Sequence, residues 1–246
     1  MKTSLTCLLV CLMIAAGSRT AAGQVYTPLE SHAGVAFTVS TLGFGADVAV
    51  PVSERVNVRG GFSAFSLNHD VDNDGITLAA QLQLRSVSAH LDWFPFYGGF
   101  HVSPGVMLYN GNEVTADALV PGGDTFDLGD ESLISDPFDP VTGTALVSFR
   151  SRVAPSLRVG WGNIVPRGGR RRWSIPFELG AVFARAPRAA LSLGGSACAS
   201  NGTNCRNVAT DPRLQADVQE EQDQINDDLT VLKAIPVISI GFSVKF

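Results

Sequence analysis

Charged and polar residues stand at every second position in several apolar segments of this 246-residue sequence. Alternate side chains of a β-strand point to the same side, so each such segment predicts a strand with one polar face. If the strands close into a barrel with this face inward, we predict that the interior is lined by Arg59, Arg85, Asp92, His101, Arg150, Arg152, Arg158 and Glu178. Two hypotheses follow: a salt-bridged packing that fills the interior, or a narrow polar path whose arginines favour small anions.

His101 and Ser103 come nearest, by residue type, to a pair for nucleophilic catalysis. A histidine can activate a serine hydroxyl, and the His-x-Ser spacing is similar to that of the lipid A deacylases, which are small outer-membrane barrels. Those enzymes act at their lipid-facing surface, whereas Phe100 and Val102 occupy that face here, and no third group is evident. We therefore expect no catalytic residue and no enzyme. A lipid A-modifying hydrolase is the most distant alternative.

The motif DVDNDG places Asp70, Asp72 and Asp74 at the spacing that begins an EF-hand loop. The twelfth position of such a loop requires a bidentate glutamate, but Gln81 stands there, within a predicted strand. An acidic turn explains the motif without a ligand, and the three aspartates are a weak calcium candidate. No cofactor is expected.

The segments that carry these residues suit a transmembrane barrel better than a water-soluble sandwich. Seven alternating segments cover about 34–50, 56–68, 75–94, 99–114, 142–162, 173–186 and 234–246. Several exceed the usual strand length of soluble proteins and cover the roughly 9–11 residues of a tilted membrane strand. Short connections alternate with the long stretches 115–141 and 187–232, which is the habit of outer-membrane barrels.

A barrel whose two chain ends lie on the same side of the membrane needs an even number of strands. We therefore divide the first segment into a short strand at about 33–40 and a second strand that follows a tight turn before Leu42; one long bulged strand is the alternative. A phase change near Arg85–Ser86 predicts a β-bulge. The predicted fold class is all-β, an antiparallel up-and-down transmembrane β-barrel of about eight strands.

Residues 211–233 break the alternation and predict one acidic helix before the final strand, 234–246. Asp211 suits the N-cap and Pro212 the first turn. Apolar residues recur at helical spacing, at Leu214, Val218, Ile225, Leu229 and Leu232. We expect this narrow stripe to pack on the barrel rim or on a partner.

Residues 1–23 have the character of a secretory signal peptide, with Lys2 before a short apolar stretch and small residues near its end. The remaining residues, 24–246, are expected to form one barrel domain. Removing Lys2 and Arg19 takes the formal net charge from −5 to −7, which argues against a nucleic-acid partner. In an exported chain, Cys198 and Cys205 are expected to form a local disulfide, with two unpaired thiols as the alternative.

The last strand, VISIGFSVKF, ends on alternating apolar residues and a C-terminal phenylalanine. Together with the stretch LRSVSAHLDWFPFYGGFHVSPGVMLYNGN, it resembles the small outer-membrane β-barrels of Gram-negative bacteria, the general class of the OmpX-like and OmpW-like proteins, over roughly residues 33–246. The resemblance implies a place in the outer membrane, contact with its lipid and lipopolysaccharide, and an assembly signal for the barrel assembly machinery at Phe242, Val244 and Phe246.

The function expected from these features is that of a narrow porin or passive channel for small solutes or ions. The alternative is a closed structural or interaction barrel that binds partners through its extracellular loops. Nothing in the sequence indicates the oligomeric state.

Overall fold

The computed structural model describes residues 33–73, 76–96, 98–129, 131–149, 151–167 and 171–246, so the predicted signal peptide lies outside the described residues. The strands, in chain order, are β1 (Gly34–Ser40), β2 (Gly43–Ser53), β3 (Val56–Asn73), β4 (Ile76–Trp93), β5 (His101–Asn110), β6 (Glu113–Val120), β7 (Thr125–Leu128), β8 (Glu131–Ser135), β9 (Val141–Ser148), β10 (Ala154–Trp161), β11 (Trp173–Ser174), β12 (Phe177–Phe183), β13 (Arg188–Gly194), β14 (Ser196–Ala199), β15 (Arg206–Asn207) and β16 (Ala234–Lys245). A helix, α1 (Pro212–Asp228), precedes β16 and continues into a 3-10 turn, Leu229–Val231.

Eight of these strands form a closed antiparallel barrel. Their order around the ring is β4, β3, β2, β1, β16, β12, β10 and β5, and the pairing of β5 with β4 closes it. The predicted short first strand is confirmed, because β1 ends at Ser40 and β2 begins at Gly43 after a tight turn. Gly34 pairs with Lys245, so both ends of the barrel chain lie together. We call this the proximal end and the opposite one, which carries the β1–β2 turn, the distal end.

The outer face of the barrel is apolar. Phe37, Phe44 and Phe62 are 69%, 60% and 59% exposed. The residues that alternate with them along each strand point inward, into a packed interior. A water-soluble barrel has the reverse arrangement, and an apolar exterior is the requirement for strands in a hydrocarbon layer. The barrel is therefore of the transmembrane kind. Among the described residues, no helix has the length and apolar character needed to cross a bilayer.

The long connections predicted at 115–141 and 187–232 lie at the distal end, and both are folded. Beyond the barrel, β4 pairs with β6, and β9 and β13 continue this sheet in the order β4-β6-β9-β13. A second small sheet has the order β15-β14-β8-β7. Helix α1 contacts β13 and β7. We call these elements, with the distal halves of β3 and β4, the distal domain.

The segment predicted as one strand at 142–162 is two strands in different places. Its first part, β9, lies in the distal domain between β6 and β13, and its second part, β10, lies in the barrel between β5 and β12. Odd-numbered residues face the covered side of the distal sheet in β9 and the exposed exterior in β10. The alternation therefore continues across the break although the surroundings of its apolar face change completely.

The hairpin of β3 and β4 crosses from one medium to another without interruption. On its outer face, β3 passes from Val58 and Phe62 to Ser66 and Asn68. The two strands pair in unbroken register from Val56–Trp93 to Asn73–Ile76, and the change occurs at the pair Ala64–Arg85. The outer face is apolar on the proximal side of this pair and polar on its distal side. The inner face changes in the opposite sense, from Asn57 and Arg59 to Phe65 and Leu67. The pair therefore marks the level where the strands leave the apolar layer.

The β-bulge predicted near Arg85–Ser86 is absent from the β3–β4 pairing, and the change of medium explains the phase change instead. The β3–β4 register has no shift there. The irregularity lies between β4 and β5, where Val87 pairs with Tyr109 but Ser88 pairs with Met107, so the extra residue, Leu108, is on β5. The phase change in the sequence of β4 is a reversal of hydropathy along a regular strand.

Helix α1 begins as predicted. The Asp211 side chain accepts hydrogen bonds from the backbone N–H groups of Arg213 and Leu214, and Pro212 occupies the first turn. Of the predicted apolar stripe, Leu214 and Val218 are buried, in a core shared with β6, β7, β8, β9 and β14. This first part of the stripe packs within the distal domain, rather than on the barrel rim or on a partner as we predicted, whereas Leu232 at its end is 46% exposed.

Substituting Val58 and Asn68 with arginine tests the position of the membrane boundary, because both residues lie on the outer face of β3. Val58→Arg places a charge in the apolar band, two residues from the proximal end of β3. It is expected to lower the unfolding free energy by about 1–3 kcal/mol in lipid vesicles, whereas Asn68→Arg changes it by less than about 0.5 kcal/mol. Urea titration of vesicle-embedded protein measures both values. Equal effects would contradict the boundary at Ala64–Arg85.

The disulfide predicted between Cys198 and Cys205 is present and closes the loop between β14 and β15. Cys198 is buried in the distal domain. A Cys198→Ser/Cys205→Ser double variant is expected to reduce the local stability of the distal domain by about 2–3 kcal/mol, because the unfolded loop regains conformational freedom. Hydrogen exchange should show faster exchange in the distal strands and unchanged exchange in the barrel. Equal acceleration in both would mean that the disulfide supports the whole fold.

Candidate functional site

The middle of the barrel holds a buried group of ionisable side chains, which we call the ion cluster: Arg59, Asp92, His101, Arg158 and Glu178. Each arrives on a different barrel strand, from β3, β4, β5, β10 and β12 respectively, and each points inward because it alternates with an outward apolar neighbour. All five are at most 7% exposed. The sequence pattern predicted these five as interior residues, and the barrel brings them into one connected set.

Arg59 is the centre of the ion cluster. Its Nη2 lies 2.9 Å from Asp92 Oδ1 and 2.5 Å from Glu178 Oε1, and its Nη1 lies 3.1 Å from Glu178 Oε2. The guanidinium therefore joins β3 to β4 and, across the lumen, to β12. Paired charge-assisted hydrogen bonds of this kind are the strong ones in a poorly solvated interior.

Glu178 also contacts Arg158 and His101. Arg158 Nη1 lies 3.2 Å from its Oε2, and His101 Nε2 lies 3.1 Å from its Oε1. His101 is also held through Nδ1, 3.1 Å from the Gly99 carbonyl oxygen. Ser103 donates to Asp92 Oδ1 at 2.7 Å. His101 and Ser103 thus each have a separate carboxylate partner.

Glycines facing the lumen make the room for these large side chains. A Cβ atom on Gly160 would lie 2.9 Å from both Glu178 Cγ and His101 Cε1, and one on Gly105 would overlap the His90 ring. An eight-stranded barrel is only wide enough for its side chains to fill. The large polar residues therefore need small residues beside them. Glycines at inward positions, such as Gly105 and Gly160, were a sequence signal for a filled lumen that our sequence analysis did not use.

The proximal end of the lumen is closed by the connection between β10 and β11. Ile164 and Val165 are buried against Ala36 and Ala49. Asn163 Oδ1 anchors the connection, because it accepts hydrogen bonds from Asn57 Nδ2 at 2.8 Å and from the Val165 backbone N–H at 2.9 Å. We call this part of the connection, with Asn163, Ile164 and Val165, the proximal plug. The alternation pattern predicted only a short turn here.

Two further side chains complete the proximal plug. Phe94 is 1% exposed, and the Arg167 guanidinium lies 4.5 Å from the centroid of its ring. Arg167 also donates from Nη2 to Asn57 Oδ1 at 3.3 Å. The cation therefore covers the plug from the proximal side.

The distal end of the lumen is filled by apolar side chains. They come from the β1–β2 turn, from four barrel strands and from the residue that follows β12: Leu42, Met107, Ala154, Val182, Ala184 and Val237. Phe149 and Ile235 pack against them. Met107 and Val182 are at most 1% exposed. The barrel interior thus consists of a proximal plug, an ion cluster and a distal apolar layer.

Arg85 and Arg152 do not face the interior, contrary to our prediction. Arg85 is exposed on the outer face of β4 at the membrane boundary, and Arg152 is exposed in the break between β9 and β10. Arg150 lies outside the described residues. The physical reason is the one given above: the strands leave the barrel at these points, so barrel parity no longer assigns their side chains.

The calcium candidate is only partly described. Asp70 is exposed near the distal end of β3. Asp74 and the side chain of Asp72 lie outside the part of the chain that the structure describes. At the other end of the molecule, Phe242 and Phe246, of the predicted assembly signal, are 50% and 71% exposed, and Val244 pairs with Val35 of β1 and Trp173 of β11.

Comparison with solved structures finds the same architecture in two proteins from Acinetobacter baumannii. The crystal structure of CarO matches with a TM-score of 0.54 at 20% sequence identity, covering 87% of this chain and 97% of that one. The structure of CarO2 matches with a TM-score of 0.56 at 16% identity, covering 88% of this chain and 99% of that one. The chain has the fold of a small outer-membrane β-barrel. No family model and no curated protein matches the sequence.

Removing the carboxylate of Glu178 tests the importance of the ion cluster. Glu178→Ala leaves Arg59 and Arg158 without their shared partner, and loss of one member of a buried ion pair costs about 3–5 kcal/mol. Urea unfolding in lipid vesicles measures the loss. Glu220→Ala, on the exposed face of α1, is the matched control and should have no measurable effect. A Glu178→Ala protein as stable as the control would show that the cluster does not stabilise the barrel.

Proposed function

We propose that this protein is an outer-membrane barrel whose lumen is closed and which acts by binding ligands with its distal domain outside the cell. The observation that carries this proposal is the filled interior. Proximal plug, ion cluster and distal apolar layer follow one another along the lumen, and their central residues are nearly inaccessible to water. A conducting path would require all three layers to move.

The orientation rests on the two kinds of connection. At the proximal end, the β2–β3 turn has two residues, Glu54 and Arg55, whereas the distal end carries a folded domain. Outer-membrane barrels have short periplasmic turns and large extracellular parts. We accordingly assign the proximal end to the periplasm, where the predicted signal peptide would deliver the chain and where Phe246 would meet the barrel assembly machinery.

In this proposal, the exposed apolar side chains of the barrel contact the lipid of the outer membrane. Trp93, Trp161 and Trp173 stand at the proximal ends of their strands and are 49–58% exposed. Tryptophans at this level fit the boundary between acyl chains and headgroups. At the distal boundary the exterior would contact lipopolysaccharide.

A narrow porin is the second candidate, because the middle of the lumen is charged and polar as a selective path would be. The same charges are satisfied by one another, however, which favours a fixed packing. No catalytic step is proposed, because His101 and Ser103 are each bound to a different carboxylate.

Planar-bilayer conductance separates the two candidates. The refolded mature protein is expected to give no discrete current steps, because the lumen is filled at three levels. Circular dichroism typical of strands confirms folding, and an established open porin in the same bilayer confirms detection. Steps from the wild-type protein that change in size or ion selectivity in Arg158→Ala would instead establish the narrow porin and contradict a closed lumen.

A further inference from the structure

The inner face of the distal sheet is apolar, and helix α1 covers only part of it. Between the sheet, α1 and β7 lies a cavity of about 200 Å³, which we call the distal cavity. Its wall includes Ala118, Phe126, Gly143, Leu191, Leu193 and Val218. The cavity lies in the part of the molecule to which the proposed function assigns ligand binding.

Small residues on the floor of the sheet create this space. Ala118 of β6 pairs directly with Gly143 of β9, and Gly143 pairs with Leu193 of β13. On the same face, one flanking pair is also small, Ala116 with Ala145, and the other is larger, Val120 with Val141. A Cβ on Gly143 would lie 2.8 Å from Leu193 Cδ2, so even an alanine there would push into the leucine. The sheet thus has a depression at the position that α1 spans.

The rim of the distal cavity is acidic. Asp127 of β7 and Glu221 of α1 are both exposed and line the cavity beside its apolar wall. The lining contains no lysine, arginine or histidine. Within the described residues, neither carboxylate has a hydrogen-bonding or ion-pair partner from another side chain. An apolar wall with two exposed carboxylates at its rim suits a ligand that is apolar at one end and cationic at the other.

We propose that the distal cavity binds apolar amines, with a ring or a short alkyl chain inside and the ammonium group between Asp127 and Glu221. The size is adequate, because an apolar cavity of about 150 Å³ already accepts a benzene ring. This inference rests on the proposed function and names the ligand class of the distal domain.

Three probes of similar shape test the inference: 2-phenylethylamine, 2-phenylethanol and 3-phenylpropionate. Binding to the full mature chain in lipid nanodiscs is followed by the chemical shifts of labelled methyl groups of Leu191, Leu193 and Val218. We expect the amine to bind more tightly than the alcohol and the carboxylate not to bind. Nanodiscs avoid detergents, whose alkyl chains would compete for the cavity.

Substitutions inside and outside the distal cavity test whether the amine binds there. Ala118→Leu fills the cavity and should abolish amine binding, whereas Ala190→Leu, which adds the same side chain to the exposed face of β13, should retain it. Glu221→Gln should weaken amine binding about two- to five-fold, as expected for an exposed ion pair. The neighbouring Glu220→Gln should leave it unchanged.

The outcomes separate this inference from the proposed function. Amine binding that survives Ala118→Leu, the absence of binding by all three probes, or equal binding of amine and alcohol would overturn it. None of these results depends on conductance, so a silent bilayer together with failed binding would refute the ligand class and leave the closed barrel intact. Conductance together with amine binding would refute the closed lumen and retain the distal cavity.

Discussion

The narrow interior of an eight-stranded barrel is the constraint on which this structure depends. Such a barrel must fill its own lumen with side chains, and its exterior must be apolar, so the polar half of every alternating strand is forced inward. Arg59 answers this constraint by binding Asp92 and Glu178 at once. Strands that are far apart around the ring are thereby joined through its centre, and the apolar plug and layer on either side keep water away from these charges.

The distal domain obeys the opposite rule with the same strands. Once β3 and β4 pass the pair Ala64–Arg85, water lies outside and the inner face becomes the one that needs covering. Helix α1 and the small sheet provide this cover, with Leu214 and Val218 in the shared core. One hairpin is therefore built as a membrane strand pair at one end and as a soluble strand pair at the other.

Much of the barrel could be predicted from the sequence, because period-two alternation, strand parity and the chain ends are local or countable properties. They gave the eight strands, the hidden first turn before Leu42 and the inward positions of Arg59, Asp92, His101, Arg158 and Glu178. The Asp211 cap and the Cys198–Cys205 disulfide were predictable for the same reason, since each depends on neighbours close in the chain.

The remaining features could not be predicted because alternation does not identify the medium on either side of a strand. The apolar residues of 142–162 keep the same alternation whether they face the distal core, as in β9, or lipid, as in β10. The pattern therefore does not show where the segment divides. Arg85 and Arg152 were misplaced by the same ambiguity. The proximal plug depends on contacts between distant residues, such as Asn57 with Asn163, which no spacing rule contains.

The unbroken hairpin of β3 and β4 has a mechanical consequence. A transmembrane element adjusts to bilayers of different thickness by tilting, and a jointed linker would isolate an external domain from that adjustment. Here the two strands continue through the boundary in one register, so a tilt of the barrel carries the distal sheet with it. The thickness of the surrounding lipid thus helps to set the height and the direction in which the distal cavity meets its surroundings.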